Sequence, residues 1–428
     1  MENKWDLIVA GGGTSGLAAA VAAAKKGCRV LIIEKNSFLG GSATGALVTP
    51  MMKNRLSNGE DLTSGLVREV LNRLKTTGNS ASFKDENPGW FNPEIMKCVL
   101  DDICEENNID VLFDTVVTGS YVDNNTISGI NCWNKGGFSD YVAKYYIDAS
   151  GDADLAALSG VPFESKEHQT LSLRFTMANV NLDEFAKWLT DIDPDAVQES
   201  IDYKNYETIL LTAAHTWDNQ GWKLRPFFGL AIRENIIESS DAAYFQIFSI
   251  PGQKNSVAFN CPRIFSINEL DPLNPKDISY AYRQGRKQIR RLAKFCNIYL
   301  AGFEEAYISQ IAPMLGIRDS RRIEGQYKLM EDDVLKGRKF SQPVAKSNYP
   351  VDIHSQEEGN NELIPLPPNE YYEIPLESLI PQNLENLLVV GRSISTSFRA
   401  QASVRIQPNC WAMGEYAGNY VAGKIFSV

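Results

Sequence analysis

The stretch that most restricts what this chain can become is Asp6–Glu34, DLIVAGGGTSGLAAAVAAAKKGCRVLIIE. Asp6–Ala10 reads as a short buried strand, Leu17–Lys26 as an alanine-rich helix, and Arg29–Ile33 as a second, β-branched strand. Between the first strand and the helix, Gly11-Gly12-Gly13-Thr14-Ser15-Gly16 fits G-x-G-x-x-G on Gly11, Gly13 and Gly16. Each glycine has its own reason. Gly11 allows a tight turn out of the strand, Gly13 lets a pyrophosphate approach bare backbone, and Gly16 lets the helix pack closely on the sheet. The helix start then offers unpaired N–H groups and a positive dipole end to phosphate. Glu34 closes the second strand about 20 residues on, where a carboxylate takes ribose hydroxyls and repels a 2′-phosphate. Thr14 and Ser15 inside the turn, and Lys35 beside the acid, complete the candidate dinucleotide contacts at this end. A lone glycine match says little, but here both strands, the helix and the acid accompany it.

The 428 residues exceed one simple core, so two or three domains are expected. A net charge of −11 argues against nucleic acid and against anionic membrane surfaces. It also means that an anionic cofactor must be held by local donors. The seven cysteines are irregularly spaced without C-x-x-C, and the three histidines are dispersed. That pattern reads as reduced thiols in a cytoplasmic protein, with no metal site. No leader peptide and no apolar run of membrane-spanning length is read at the sequence level.

After Glu34 a second glycine pair, Gly40-Gly41, is followed by Ser42 and Thr44. Gly59–Lys75 has helical spacing, and Asn92-Pro93-Glu94 is a helix start. Asp110–Phe113 and Thr115–Val122 read as strands, and Thr126–Trp133 with Asp140–Ile147 as a hairpin. A strand then runs into Ala149-Ser150-Gly151-Asp152 and a short helix, Ala153–Ser159. From about Pro162 to Tyr307 the character changes. Strands are expected at Leu171–Ala178, Pro226–Ile232, Tyr244–Ile250 and Ser256–Cys261, and helices at Leu182–Leu189 and Asp277–Leu300. Ile308–Asp333 gathers Arg318, Arg321 and Arg322 with Asp319 and Glu324. A guanidinium here either orients an anionic substrate or belongs to a charge-paired strand. In a strand, only one of Arg321 and Arg322 can share a face with Asp319. His354 is an acid/base candidate by its place at an ordered strand end. Asn386–Val390 reads as a buried strand ending at Gly391-Arg392; Arg399, Arg405 and Ile406 precede a small-residue helix, Cys410–Lys424.

The N-terminal fingerprint, Ala149–Asp152, Gly316–Glu324 with His354, and Gly391–Gly418 together resemble the FAD-dependent oxidoreductases of glutathione-reductase type. Within these they resemble the flavin module of heterodisulfide reductase. The resemblance implies FAD as cofactor. It implies an α/β fold: a Rossmann-like FAD-binding domain, with a parallel sheet and a three-stranded β crossover, and an inserted α+β substrate domain. The expected divisions are 1–161, 162–307 and 308–428. Gly40, Gly41, Ser42 and Thr44 would run along the cofactor, and Val117 would reach the adenine. Ala149, Ser150, Gly151 and Asp152 stand where the family reads roughly A-T-G-D. Gly391, Arg392, Arg405 and Ile406 would close the flavin side, with the last helix facing the pyrimidine ring. The expected reaction is hydride transfer between a small organic substrate and flavin N5; by position and residue type, His354 is its acid/base candidate, and Arg321, Arg322, Arg399 and Arg405 are candidates to orient an anionic group. The alternatives are a flavin monooxygenase and a flavin-carrying electron-transfer component of a larger complex; a redox partner or a second copy of the chain is left open. Two departures are plain: the iron–sulfur cysteines are missing, and Arg399 and Gln401 stand where a histidine is expected.

Overall fold

The computed structural model describes residues 4–63, 65–83, 85–204, 207–357 and 361–427. Its first unit is β1 (Lys4–Ala10), α1 (Thr14–Ala24) and β2 (Val30–Ile33). Leu7, Ile8 and Val9 are buried on both faces, as a central parallel strand requires. Two helices follow, α2 (Leu66–Thr76) and α3 (Pro93–Glu106). The first begins later than Gly59 because Gly65 breaks the spiral at φ 73°, and Glu415 accepts from the Leu66 N–H at 3.0 Å in place of a local cap. The second starts on Asn92, whose side chain accepts from the Glu94 N–H.

Strand β3 (Asp110–Leu112) leads into a meander, β4 (Val116–Asp123), β5 (Thr126–Asn134) and β6 (Gly137–Asp148), and then the short α4 (Asp154–Leu158). The sheet order is β3-β2-β1-β6-β5-β4. β6 serves two neighbours. Its first residues pair antiparallel with β5, and from Val142 onward it runs parallel to β1. The meander therefore hangs from the parallel sheet by one long strand, and β6 delivers Asp148–Asp152 to the edge where β1 delivers Gly11–Gly13.

The next segment forms a separate layer. It contains β7 (Phe175–Ala178), α5 (Leu182–Ile192), α6 (Arg225–Arg233), β8 (Ile247–Ile250), β9 (Gln253–Phe259) and α7 (Pro275–Tyr299). Its sheet, ordered β8-β9-β7-β10, is completed by β10 (Tyr307–Ile311). Its core is aromatic, with Phe175, Phe228, Phe245, Phe259, Phe295 and Phe303 fully buried. Pro226–Ile232 is helical rather than extended: Pro226 fits the first turn, and Phe228 and Ala231, three apart, share the buried face.

The chain returns through β11 (Leu387–Val389), parallel to β6, then α8 (Phe398–Val404) and α9 (Gln407–Phe426). The last helix lies across α1 in backbone contact. A Cβ added at Gly414 would sit 2.0 Å from the Ser15 carbonyl oxygen, and one at Gly418 2.1 Å from that of Ala19. Only glycine permits this approach, which lays α9 from Gly414 onward beside the start of α1. Among the described residues, no helix is long and apolar enough to cross a membrane.

Candidate active site

A cavity of about 870 Å³ runs from the β1–α1 turn to the second layer. Every residue expected to hold the dinucleotide lines it except Gly16, Gly40 and Thr44. Those three shape the walls. The Gly40 N–H bonds to the Gly12 carbonyl at 2.9 Å, the Thr44 hydroxyl to the Leu39 carbonyl at 2.6 Å, and a Cβ on Gly16 would overlap the Gly11 carbonyl oxygen at 1.9 Å.

Elementary donors fit this end to a dinucleotide. Gly11 turns at φ 105° with the Ala149 carbonyl against it, so no other residue makes the turn without strain. Around Gly13 only the Gly41 Cα lies near a would-be Cβ, at 3.9 Å, leaving bare backbone toward the cavity. Helix α1 has no side-chain cap and no acid in its first turn, so its leading N–H groups face a lining of its own residues. The Glu34 carboxylate accepts from the Gly12 N–H at 2.7 Å and from the Asn36 backbone N–H at 2.8 Å, which fixes its direction at the end of β2. Thr115, Val116 and Val117 line the same end. These residues fit FAD: amides that would meet the diphosphate, a fixed carboxylate that would take the ribose, and Thr115–Val117 where the adenine would lie.

At the middle of the cavity Arg392 binds Asp152 at 2.8 Å, and Lys35 lies 3.8 Å from the same carboxyl. Burial alone would raise Asp152, but Arg392 and Lys35 outweigh it and bring its pKa down to about 2. Asp148 has no such cation; burial lifts it to about 6 although Ser150 and the Ala156 N–H donate to it. Ile406, Gln407 and Cys410 at the start of α9 also line the cavity, and that helix too lacks a side-chain cap.

The far wall comes from the second layer and the return segment. Arg174, Arg318 and Arg405 line it with Tyr244, Tyr349 and Asp352. Arg263 stacks on the Tyr244 ring with its guanidinium carbon 3.8 Å from the centroid. Arg174 donates to the Leu47 carbonyl at 3.0 Å and Arg318 to the Thr170 carbonyl at 2.5 Å. Desolvation lowers Arg174 to about 10 and, with the charges of Arg405, Arg263 and Arg174 added, takes Arg318 well below its ordinary value. Burial opposes ionisation of Asp352, yet His354, Arg405 and Arg318 hold it well below the usual carboxylate range.

Four expectations about chemistry change on this geometry. Arg321 does not line the cavity; it sits behind two residues that do, donating to Asp154 at 2.8 Å and to the Asp152 carbonyl at 2.7 Å. Arg322 is buried beneath the wall, 3.7 Å from Asp319 and 3.9 Å from Glu164. Strand pairing begins only at Arg322, so it is Arg322, three residues on, that turns back to Asp319. Arg399 is tied to Glu331 at 2.8 Å and Glu362 at 2.7 Å on the outer side of α8. His354 does line the cavity, but both its nitrogens are engaged: Nδ1 accepts from Arg263 at 2.9 Å and Nε2 lies 3.2 Å from Asp352. Burial, then the Arg318 charge, outweigh Asp352 and lower its pKa to about 3. It is a neutral bridge at pH 7, not a proton carrier. The missed residues are Arg174, Arg263, Tyr244, Tyr349 and Asp352. The one signal for them was a lone arginine inside the apolar run Leu171–Ala178.

Residues 6–425 match the family described as FAD dependent oxidoreductase. A relative in Methanococcoides burtonii, digeranylgeranylglycerophospholipid reductase 1, is 26% identical over 194 residues, which is 43% of this chain and 47% of that one. The match thus spans less than half of that relative's length. Among solved structures, a geranylgeranyl bacteriochlorophyll reductase-like protein of Thermoplasma acidophilum superposes with a TM-score of 0.47 at 14% identity, covering 99% of this chain and 79% of that one. The p-nitrophenol 4-monooxygenase of Pseudomonas putida gives 0.49 at 12% identity, with 100% and 82% covered.

Proposed function

This chain belongs to the family of FAD dependent oxidoreductases, and from that premise we propose that it moves a hydride between a small organic substrate and N5 of its flavin. When bound, FAD supplies a two-electron ring system that no side chain provides. The observation that carries the reading is continuity: the space that begins at Gly13 and Glu34 passes Gln407 at the start of α9 and ends on Arg174, Arg318 and Tyr244. The dinucleotide end and the arginine wall line one cavity, bordered by the second layer, which is the arrangement an enzyme needs and an electron carrier does not.

The chain's own residues divide the work. Amides of Gly13, Thr14 and Ser15 would hold the diphosphate, and Glu34 the ribose. The uncapped start of α9 lines the cavity, and its positive dipole end would stabilise negative charge on a flavin bound there. The second layer borders the cavity and would supply the groups that orient the substrate.

Anaerobic mixing of the flavin-loaded protein with small alcohols, amines and hydroxy acids tests this. Bleaching of the visible flavin band by one of these classes, without NADH or NADPH, is the expected result. Reduction by NADH or NADPH alone, followed by oxygen insertion into a substrate, would instead make the protein a monooxygenase.

A further inference from the structure

We propose that the substrate is a small organic acid with two carboxylates, seated on Arg174 and Arg318; this rests on the reading of the cavity as an enzyme's active site. The argument is a local charge imbalance. Arg174, Arg263, Arg318 and Arg405 converge on this wall, while Asp352 is the carboxylate acting on Arg318. His354 between Arg263 and Asp352 is neutral and adds no charge. Arg405 is matched by Asp352 at 3.5 Å, and Arg263 is spent on His354, Asn361 and the Tyr244 ring. Arg174 and Arg318 have a single backbone carbonyl each, and among the described residues no carboxylate ion-pairs with either. Both keep surface toward the cavity.

Sunken cations without counter-ions are costly to hold in a fold. Here they persist in a chain whose net charge is −11, so they are not part of a general basic surface. The remaining guanidinium donors form forks that match carboxylate oxygens. Two unmatched forks favour two carboxylates over one. Tyr244, whose hydroxyl accepts from Asn260 at 3.2 Å and faces Gln246 at 3.4 Å, gives the same wall a polar floor for the carbon that lies between them.

Binding decides this without turnover. Oxidised, flavin-loaded protein is titrated calorimetrically with malonate, succinate and glutarate, then with monomethyl succinate, dimethyl succinate and inorganic phosphate. The diacid that fits should bind on the order of 10-fold to 100-fold more tightly than its half-ester, and the diester least of all. Arg174→Gln and Arg318→Gln should each weaken the diacid by about the same factor and leave the diester unchanged, while Arg318→Lys should recover part of the loss. Equal affinity for diacid and diester, no binding of any diacid at about 10 mM, or tighter binding of phosphate than of every diacid would overturn the assignment. Should a variant lose its flavin, the ester series on the unaltered protein still decides. Diacid binding with no compound ever bleaching the flavin would keep this inference and sink the hydride-transfer reading.

Discussion

The two ends of the cavity are built by different means. At the dinucleotide end the groups that would hold the cofactor are mostly backbone: the amides that open α1 and a turn at Gly11, with one carboxylate aimed by the backbone N–H groups of Gly12 and Asn36. At the far end they are side chains, drawn from positions 174, 244, 263, 318, 352 and 405 on separate elements. A backbone site is specified by the absence of Cβ atoms over a short run. A side-chain site is specified by where distant strands stop. The first kind breaks by sterics and the second by electrostatics.

The largest expected effect lies at the backbone end. Gly11→Ala adds a Cβ 2.5 Å from the Ala149 carbonyl oxygen at φ 105°. Strain and overlap together should cost about 3 kcal/mol or more, enough to lose bound flavin and much of the folded protein. Gly423→Ala, in the last helix where none of the described residues lies within 4 Å of the new Cβ, should instead stabilise by roughly 0.5–1 kcal/mol. Thermal melts and retained flavin on purification measure both. If Gly11→Ala behaves like Gly423→Ala, the contrast between the two ends is empty.

The same contrast explains what could be read from the chain beforehand. The fingerprint, Glu34, the Ala149–Asp152 corner and Gly391 are each local, and parallel strands carry them to one edge whatever the rest does. The meander was legible because alternation and turn residues fix antiparallel strands over a few positions. Arg321 and Arg322 misled because a charge cluster in sequence does not say which member faces the cavity; Arg318, at the edge of that cluster, is the one that does, while Arg399 is drawn outward by Glu331 and Glu362, which are distant from it in sequence. Arg263 and Tyr244 carried no local signal at all. Their meeting depends on β-strand ends in a layer whose topology is not encoded in any short run. Pro226–Ile232 shows the same limit: seven apolar-rich residues fit either period until packing chooses.

At the seam between the two ends stands Asp152 with Arg392. Asp152→Asn leaves a deeply placed guanidinium whose other hydrogen-bond partner among the described residues is the Ser42 hydroxyl, 3.5 Å away. Breaking such a pair should cost about 3 kcal/mol at pH 7. The sign with pH follows from the depressed carboxyl: its contribution is present above the unfolded value of 3.8 and is lost as pH falls toward about 2. Denaturant unfolding at pH 7 and near pH 3 should therefore show the variant's deficit shrinking with acid. A deficit that stays constant would remove the ion pair as its cause.

Among the losses at neutral pH, the smallest belongs to the side-chain end. His354→Gln replaces a neutral bridge by a neutral amide, so the loss at pH 8 should be about 1 kcal/mol, the worth of one imperfect hydrogen bond. Acid separates the two proteins. The folded imidazole titrates near 3 against 6.5 in the unfolded chain, because burial and Arg318 resist a second charge beside Arg263. Both states are neutral above 6.5, so nothing is lost there. As pH falls from 6.5 toward 3 the unfolded chain takes up a proton that the folded one refuses, and stability drops. Glutamine has no such proton, so the variant should lose less melting temperature between pH 8 and pH 5 than the unaltered protein. Asp352 does not confuse the comparison, since it is ionised throughout that window. Parallel melting curves would mean that the folded histidine is charged, and that the far wall holds more positive charge than its neutral bridge allows.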